Sequence, residues 1–407
     1  MNPFLAWMTL SRLGAGVAFM AWAASLPWIL REWGLSGAEA GLVQTAFNLA
    51  YAISLLASAW AADRLGAGRI FNVANWLAAA AFLLCALFAR SLGSALTLFT
   101  LLALMLGGGY APSLMLAAAA STVRDRGAAV GWTLAGASIG YFLVIALAPA
   151  LIPRWGLTTS WLGLWVAPLL AAICGSLAAR AVPPPTKPPP VASPVPDPRL
   201  GAVFFRRDSL LLTAGYAFHC WELLGLWAWG PAFLTLTLSA HGVAPVATGL
   251  LAAGALHLTG AASTLLGGAA SDRFGRRLVL VVLALAGAAC SFTFGWLGDA
   301  GAAVLVAAAA LYGFAALGDS GVLSAAMADA VPAPLLGRVL ALRSICGFGA
   351  GALAPLAFGA VLDLTNPGSA PAQTWSWAFA LLGLGGLGAA LCAWRLPDAE
   401  RLKRRRS

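Results

Sequence analysis

Long apolar stretches recur from one end of the chain to the other, broken by short turns rich in glycine and charge. They run approximately over residues 4 to 30, 41 to 61, 70 to 90, 95 to 121, 128 to 152, 160 to 181, 210 to 237, 248 to 270, 278 to 297, 301 to 329, 339 to 363 and 375 to 395. Each approaches or exceeds the roughly 20 residues that a helix needs to cross a hydrocarbon core. The runs are continuous and lack the two-residue alternation, with a turn about every ten residues, of a membrane barrel. The pattern predicts an all-α integral membrane protein with twelve transmembrane helices. The first stretch is too long and too rich in tryptophan for a cleaved leader and is expected to stay as the first helix.

Composition agrees. Hydrophobic residues make up 61% of the chain and charged residues 9%, with a mean hydropathy of +0.87, whereas a soluble domain carries about a quarter charged residues. Orientation follows from Lys and Arg, which loops retain on the cytoplasmic side during insertion. With the N-terminus inside, the inner turns and tail hold nineteen basic residues, and the outer loops hold only Arg31, Arg90 and Arg154. That asymmetry puts both termini in the cytoplasm and fits an even number of spans. It also accounts for the net charge of +10 without a nucleic-acid partner, because the basic residues are spread over separate turns. Anionic lipid headgroups are the expected neighbours of the Lys403 to Arg406 tail. The six cysteines fall inside spans with no CxxC spacing, so they read as packing residues and imply neither a disulfide framework nor a metal.

The organisation is bipartite. Residues 182 to 209 form the long polar connection, with nine prolines from Pro183 to Pro198, a density that predicts a semi-extended cytoplasmic linker. It separates an N-terminal six-helix bundle, 1–181, from a C-terminal one, 210–395, and a basic tail, 396–407, follows. A charged turn occurs in both halves, Ala62-Asp63-Arg64-Leu65-Gly66-Ala67-Gly68-Arg69 and Ser271-Asp272-Arg273-Phe274-Gly275-Arg276-Arg277. Arg124-Asp125-Arg126-Gly127 has a further counterpart ending in Gly337-Arg338. Two parallel copies of one unit imply pseudo-twofold symmetry and a substrate cavity between the halves.

These residues resemble the major facilitator superfamily of secondary transporters. Its turn signature, Gly-x-x-x-Asp-Arg-x-Gly-Arg-Arg, is matched in full from Gly268 to Arg277. The first copy departs from it, with Ala59 at the leading glycine and Ala67-Gly68 inserted before Arg69. The resemblance implies a gating role for Asp63, Arg64, Asp272 and Arg273, to which the neighbouring Arg69, Arg276, Arg277, Arg338 and Arg343 are added. The family's antiporter signature, a Gly-Pro pair within a glycine ladder in the fifth helix, is not evident. Gly131, Gly136 and Gly140 are present, but Pro149 sits near the outer end.

Ionisable groups at bilayer depth are costly unless paired or wet, which makes each a functional candidate. Tyr216, His219 and Glu222 recur at a spacing of three and share one side of a helix. Burial penalises the charged form of Glu222, which suits a group that gains and loses a proton, and His219 one turn away is placed to share it. Arg12 lies roughly 12 Å into the first span by helical rise, where its guanidinium is suited to a carboxylate, or else snorkels to the surface. Asp319 reads as a second proton site or a counter-ion for arginine. Arg343, close after Arg338, reads as structural or gating. His257 reads as a packing residue. Trp221 and Trp227 join the substrate candidates, whereas Trp33, Trp155, Trp161 and Trp375 fit the interfacial belt. Gln44, Asn48, Asn72 and Asn75 either bond across helices or line the cavity.

The leading expectation is a cytoplasmic-membrane carrier that moves a small organic anion with protons by alternating access. Arg12, Tyr216, His219, Trp221 and Trp227 would bind substrate, and Glu222, His219 and Asp319 would couple protons. It would need no cofactor or metal and would work as a monomer. The alternative is proton-driven efflux of hydrophobic or cationic compounds, held by Glu222 and Asp319 among tryptophans. An enzyme or receptor is disfavoured, because the three histidines are scattered and no phosphate loop or nucleophile constellation occurs.

Overall fold

A computed structural model of the chain describes residues 3–122, 125–181, 199–368 and 374–397. The proline-dense part of the linker, Arg124, the side chain of Arg126 and the basic end from residue 398 onward, including Lys403 to Arg406, lie outside the described residues.

The described chain is helical throughout, without strands: α1 (Pro3–Trp33), α2 (Gly37–Leu65), α3 (Ala67–Phe88), α4 (Leu92–Gly107), α5 (Tyr110–Ala119), α6 (Arg126–Ala181), α7 (Arg199–Phe204), α8 (Arg207–Ala240), α9 (Pro245–Ala253), α10 (Thr259–Phe274), α11 (Arg276–Phe294), α12 (Ala302–Ala330), α13 (Ala333–Ala352), α14 (Ala354–Thr365) and α15 (Ser376–Trp394). Among the described residues, 11 stretches are long and apolar enough to span a membrane. One of them, Ala128–Ala181, is 54 residues long and is broken by Gly156 at φ 73° and ψ 168°. Counting it as two yields the twelve spans that hydropathy predicts. The expected loop over 153–159 is thus a single left-handed glycine between two helices, a conformation that glycine adopts without steric penalty. The linker also differs at its end. Once the prolines stop, Arg199–Phe204 is helical rather than extended.

Contacts divide the chain into two compact units. The first comprises Met1–Leu35, Leu42–Ser193 and Ala244–Ala253, and the second comprises Ser36–Gly41, Pro194–Val243 and Gly254–Ser407.

In the first unit, α1 packs along α6 at backbone contact. A Cβ on Gly14 would strike the Ala167 carbonyl, one on Gly16 that of Ala137, and one on Gly140 that of Leu13. In an apolar medium, where burial alone does not drive helices together, such small residues permit the close dispersion contacts that do. Polar side chains add cross-helix bonds. Ser11 Oγ donates to the Ala171 carbonyl at 2.9 Å, and Ser176 Oγ to Asn72 Oδ1 at 2.5 Å. Trp161 is fully buried, edge-on to Trp33 and Phe99, so it belongs to the core and not to the interfacial belt. Its indole N–H reaches Ser25 Oγ at 2.9 Å, which is what allows it to be buried.

In the second unit, α8 is the central element and packs on α12, α13 and α15. Gly347 and Gly351 of α13 lie against Tyr216 and Cys220 of α8. At the other end of α8, Trp229, Phe233, Phe358, Trp375 and Phe379 form an aromatic cluster with ring centroids mostly 5 to 6 Å apart. Trp375, at 4% exposure, is therefore also a core residue, contrary to the belt assignment.

The start of α2, which belongs to the second unit, is doubly capped. Ser36 and Glu39 form a reciprocal capping box, with bonds of 3.2 and 2.9 Å. Asp363 of α14 accepts the Gly37 and Ala38 N–H groups at 2.6 and 2.8 Å. Its carboxylate thus occupies the positive end of a helix dipole. Asp363→Ala is expected to cost about 1 kcal/mol of stability and Asp363→Asn less, because the amide keeps one acceptor. Thermal unfolding of the two detergent-purified variants checks this order.

Candidate functional site

Each unit carries its own buried polar site. In the first unit it is built around Arg12, which is only 4% exposed and so does not snorkel. Gly136 permits this placement, since a Cβ there would lie 3.1 Å from that of Arg12. The guanidinium carbon lies 5.5 Å from the centroid of the Tyr110 ring. Its charge also acts on the hydroxyls of Tyr51 and Tyr141. Phe19 packs against Tyr51 and Tyr141 at centroid distances of 5.1 and 5.3 Å. Opposite, Gly108 and Gly109 interrupt the helix between α4 and α5, and a Cβ on Gly109 would sit 3.8 Å from Arg12 Nη1. Among the described residues no carboxylate pairs with Arg12, and its Nε has no hydrogen-bond partner. The result is a cation held by the face of Tyr110 and the hydroxyl of Tyr51, with donor capacity left over.

Sequence spacing missed Tyr51, Tyr110 and Tyr141. A signal was available in composition, because the chain has only five tyrosines and every one lies in the neighbourhood of a buried ionisable side chain. The remaining two, Tyr216 and Tyr312, belong to the second unit.

There, α8 presents Tyr216, His219 and Glu222. His219 and Glu222 have separate partners, which corrects the expectation that they share a proton directly. His219 Nδ1 lies 2.7 Å from Asp319 Oδ1 on α12, with both side chains more than nine-tenths buried. Asp319 is thus counter-ion to a histidine. Glu222 turns to α11, where Ser291 Oγ donates to its Oε1 at 2.7 Å. When Glu222 is ionised, Ser291 spends its one hydroxyl proton on it, and the 2.5 Å contact between Ser291 Oγ and Tyr312 Oη then takes its donor from Tyr312. A hydroxyl chain follows, linking Tyr312 through Ser291 to Glu222. Gly287 leaves space beside it, as a Cβ there would be 3.0 Å from Glu222 Oε1. The physical reason for the separation is angular. Residues three apart on a helix differ by some 60° in direction, enough for His219 to meet α12 and Glu222 α11.

The other candidates are dispersed. Tyr216 stacks on His219 at 5.7 Å and 23°. Trp221 Nε1 donates to the Leu381 carbonyl at 3.3 Å. Trp227 packs against His257, which lies in a π-helical turn between α9 and α10. Trp229 donates to the Pro355 carbonyl at 3.0 Å within the aromatic core. The tryptophans therefore have separate neighbours and do not form a cage around Glu222. Arg343 is 5% exposed, too buried to reach an interface.

The two charged turns share a backbone but not a bridge. Gly66 and Gly275 adopt φ of 91° and 89°. In the second copy, Arg276 binds Asp272 at 2.6 Å and Asp329 of α12 at 3.2 Å, joining the turn to a third helix. Superposing the turn glycines puts Ala67 where Arg276 stands, so the first copy reads as a replacement and not an insertion. Among the described residues, Asp63 and Arg69 accordingly form no ion pair. Arg64 instead lies 3.9 Å from the Trp60 ring. Arg273 and Arg338 are exposed.

Twelve spans in two units, with buried charge in each and charged turns at their ends, define a multi-pass membrane transporter. A family model described as Major Facilitator Superfamily matches residues 8–260 and 222–407. The chain belongs to that superfamily, whose members are transporters and not enzymes. A curated relative, a probable 4-methylmuconolactone transporter of Cupriavidus pinatubonensis, is 28% identical over 277 residues, which cover 64% of this chain. The match spans 60% of that relative's length. Among solved structures, the nucleoside transporter NupG is similar with a TM-score of 0.75 and 16% identity, over 98% of this chain and 100% of that one. The inward open xylose transporter XylE from E. coli is similar with a TM-score of 0.74 and 16% identity, over 98% of each chain. These likenesses establish the fold.

Ser291→Ala is expected to remove the link between Tyr312 and Glu222 and to leave both groups short of a buried partner, at a cost of about 1 to 3 kcal/mol. Ser291→Thr should retain most of the stability, and comparative melting curves in detergent measure both.

Proposed function

We propose that the protein carries a small organic anion across the cytoplasmic membrane together with protons, by alternating access, with both termini in the cytoplasm. The observation that carries this reading is the buried Arg12, held by tyrosines with an unsatisfied N–H and, among the described residues, no acidic partner. A guanidinium in that state is matched by a carboxylate, which accepts charge-assisted bonds from it. The curated relative's name supports an organic acid, because a muconolactone is an unsaturated lactone bearing a carboxyl group.

Proton coupling is assigned to the acids of the second unit. His219 and Asp319 form a buried pair whose net charge changes when one proton is added or removed. Glu222, held neutral or charged through Ser291, is the second acid within electrostatic reach of Asp319. The bridge from Arg276 to Asp272 and Asp329 acts as a gate element, because it ties a turn to a neighbouring helix by side chains that can exchange partners without unfolding either.

In proteoliposomes with an imposed inward proton gradient, the wild type is expected to accumulate a carboxylate such as 4-methylmuconolactone. Asp319→Asn and Glu222→Gln should lose gradient-driven accumulation while retaining counterflow exchange, and Arg12→Ala should weaken substrate binding by roughly 10- to 100-fold. Accumulation that is unchanged in both acid variants would remove the coupling assignment. Transport of cationic dyes with indifference to carboxylates would replace the anion reading with efflux.

A further inference from the structure

Arg343 stands one helical turn before Gly347 on α13. Its guanidinium carbon lies 4.1 Å from the centroid of the Tyr216 ring, and Nη2 donates to Ser324 Oγ on α12 at 3.0 Å. Nε and Nη1 are buried and have no hydrogen-bond partner. Gly347 is what admits this arrangement, since a Cβ there would strike the Tyr216 ring. The ring therefore slides over α13 and comes to lie beneath the guanidinium.

A guanidinium cannot shed its proton and carries five N–H donors in a planar fork. Buried without a carboxylate, it is among the most costly groups a protein can hold. The acids of the same unit do not neutralise it. Asp319 is engaged by His219 at 2.7 Å and Glu222 by Ser291 at 2.7 Å, and among the described residues Arg343 forms no ion pair. Tyr216 covers one face, and a cation–π contact stabilises the charge there without using any N–H. Nε and Nη1 remain without an acceptor. A bare gating role fits poorly, because the gate residues of the charged turns are half-buried or exposed, whereas Arg343 is 5% exposed and bonded to Ser324 of α12.

We infer that Arg343 is an oxyanion-recognition residue: the unpartnered Nε and Nη1 edge of its guanidinium receives a carboxylate of the transported molecule, while Tyr216 and Ser324 hold the guanidinium plane in place. The inference rests on the organic-anion reading above and adds to it a second recognition residue, located in the second unit and distinct from Arg12. Tyr216 then acts as a positioning residue, through its ring and not its hydroxyl.

The test compares binding of an acid and its neutral analogue, 4-methylmuconolactone against its methyl ester and benzoate against benzamide, to purified full-length protein by calorimetry. The wild type is expected to prefer both acids. Arg343→Gln should lower acid affinity by roughly 10- to 100-fold and leave the neutral analogues unchanged, which removes the preference. Arg343→Lys should restore part of it, and Tyr216→Phe should keep it. The lysine variant also serves if the glutamine variant fails to fold. A loss in Arg343→Gln that falls equally on acid and neutral analogue, or no loss at all while Arg12→Gln abolishes the preference, would overturn the role of Arg343 and leave the anion carrier standing. Absence of any acid preference in the wild type would overturn the anion reading itself.

Discussion

The shortage of partners for buried charge governs this structure. In hydrocarbon, an ionisable side chain cannot borrow water, so it must find an opposite charge, a hydrogen-bonding group, an aromatic face or a ligand. The described helices carry few such groups, and the fold resolves them in different ways. His219 and Asp319 are set 2.7 Å apart as a charge pair. Glu222 takes a hydroxyl relay through Ser291 to Tyr312. Arg12 and Arg343 are given tyrosine rings and retain unused donors. Chemistry is expected where satisfaction is incomplete, and among the described residues both buried arginines keep N–H groups without an acceptor.

Helix packing at small residues is what brings these groups into position. Along α1 and α6, contacts at Gly14, Gly16, Gly136 and Gly140 press backbones together and set Arg12 against the interrupted α4 and α5. In the second unit, Gly347 and Gly351 do the same for α8 and α13, so that Tyr216 lies beneath Arg343. A side chain at any of these glycines would have to push a helix outward, which would loosen the ring contacts that hold the cations. Backbone packing and the placement of the two cations are thus the same feature seen at two depths.

The charged turns show how a repeated backbone can diverge in chemistry. Gly66 and Gly275 take nearly the same left-handed conformation, which fixes the path of the chain in both halves. Only the second copy places an arginine directly after that glycine, and only there does a bridge extend to Asp329. The first copy retains the shape and loses the bond.

Much of the fold was legible in the sequence, because span length and positive-φ glycines are local properties. Apolar runs set the twelve helices, and the repeated turn exposed the internal duplication. The candidate site was legible only as an inventory. Arg12, His219, Glu222, Asp319 and Arg343 were conspicuous as rare charges, but spacing along α8 suggested that His219 and Glu222 act on each other, and tertiary packing sends them to different helices. Trp161 and Trp375 looked interfacial by position in the chain and are core by contact. Tyr51, Tyr110 and Tyr141 carry no charge to mark them, so only the folded units reveal that they gather on Arg12. Hydropathy is a sum over neighbours in the chain and survives without a fold. The partner of a buried charge depends on helix rotation and on contacts between residues far apart in the chain, and only the tertiary structure decides it.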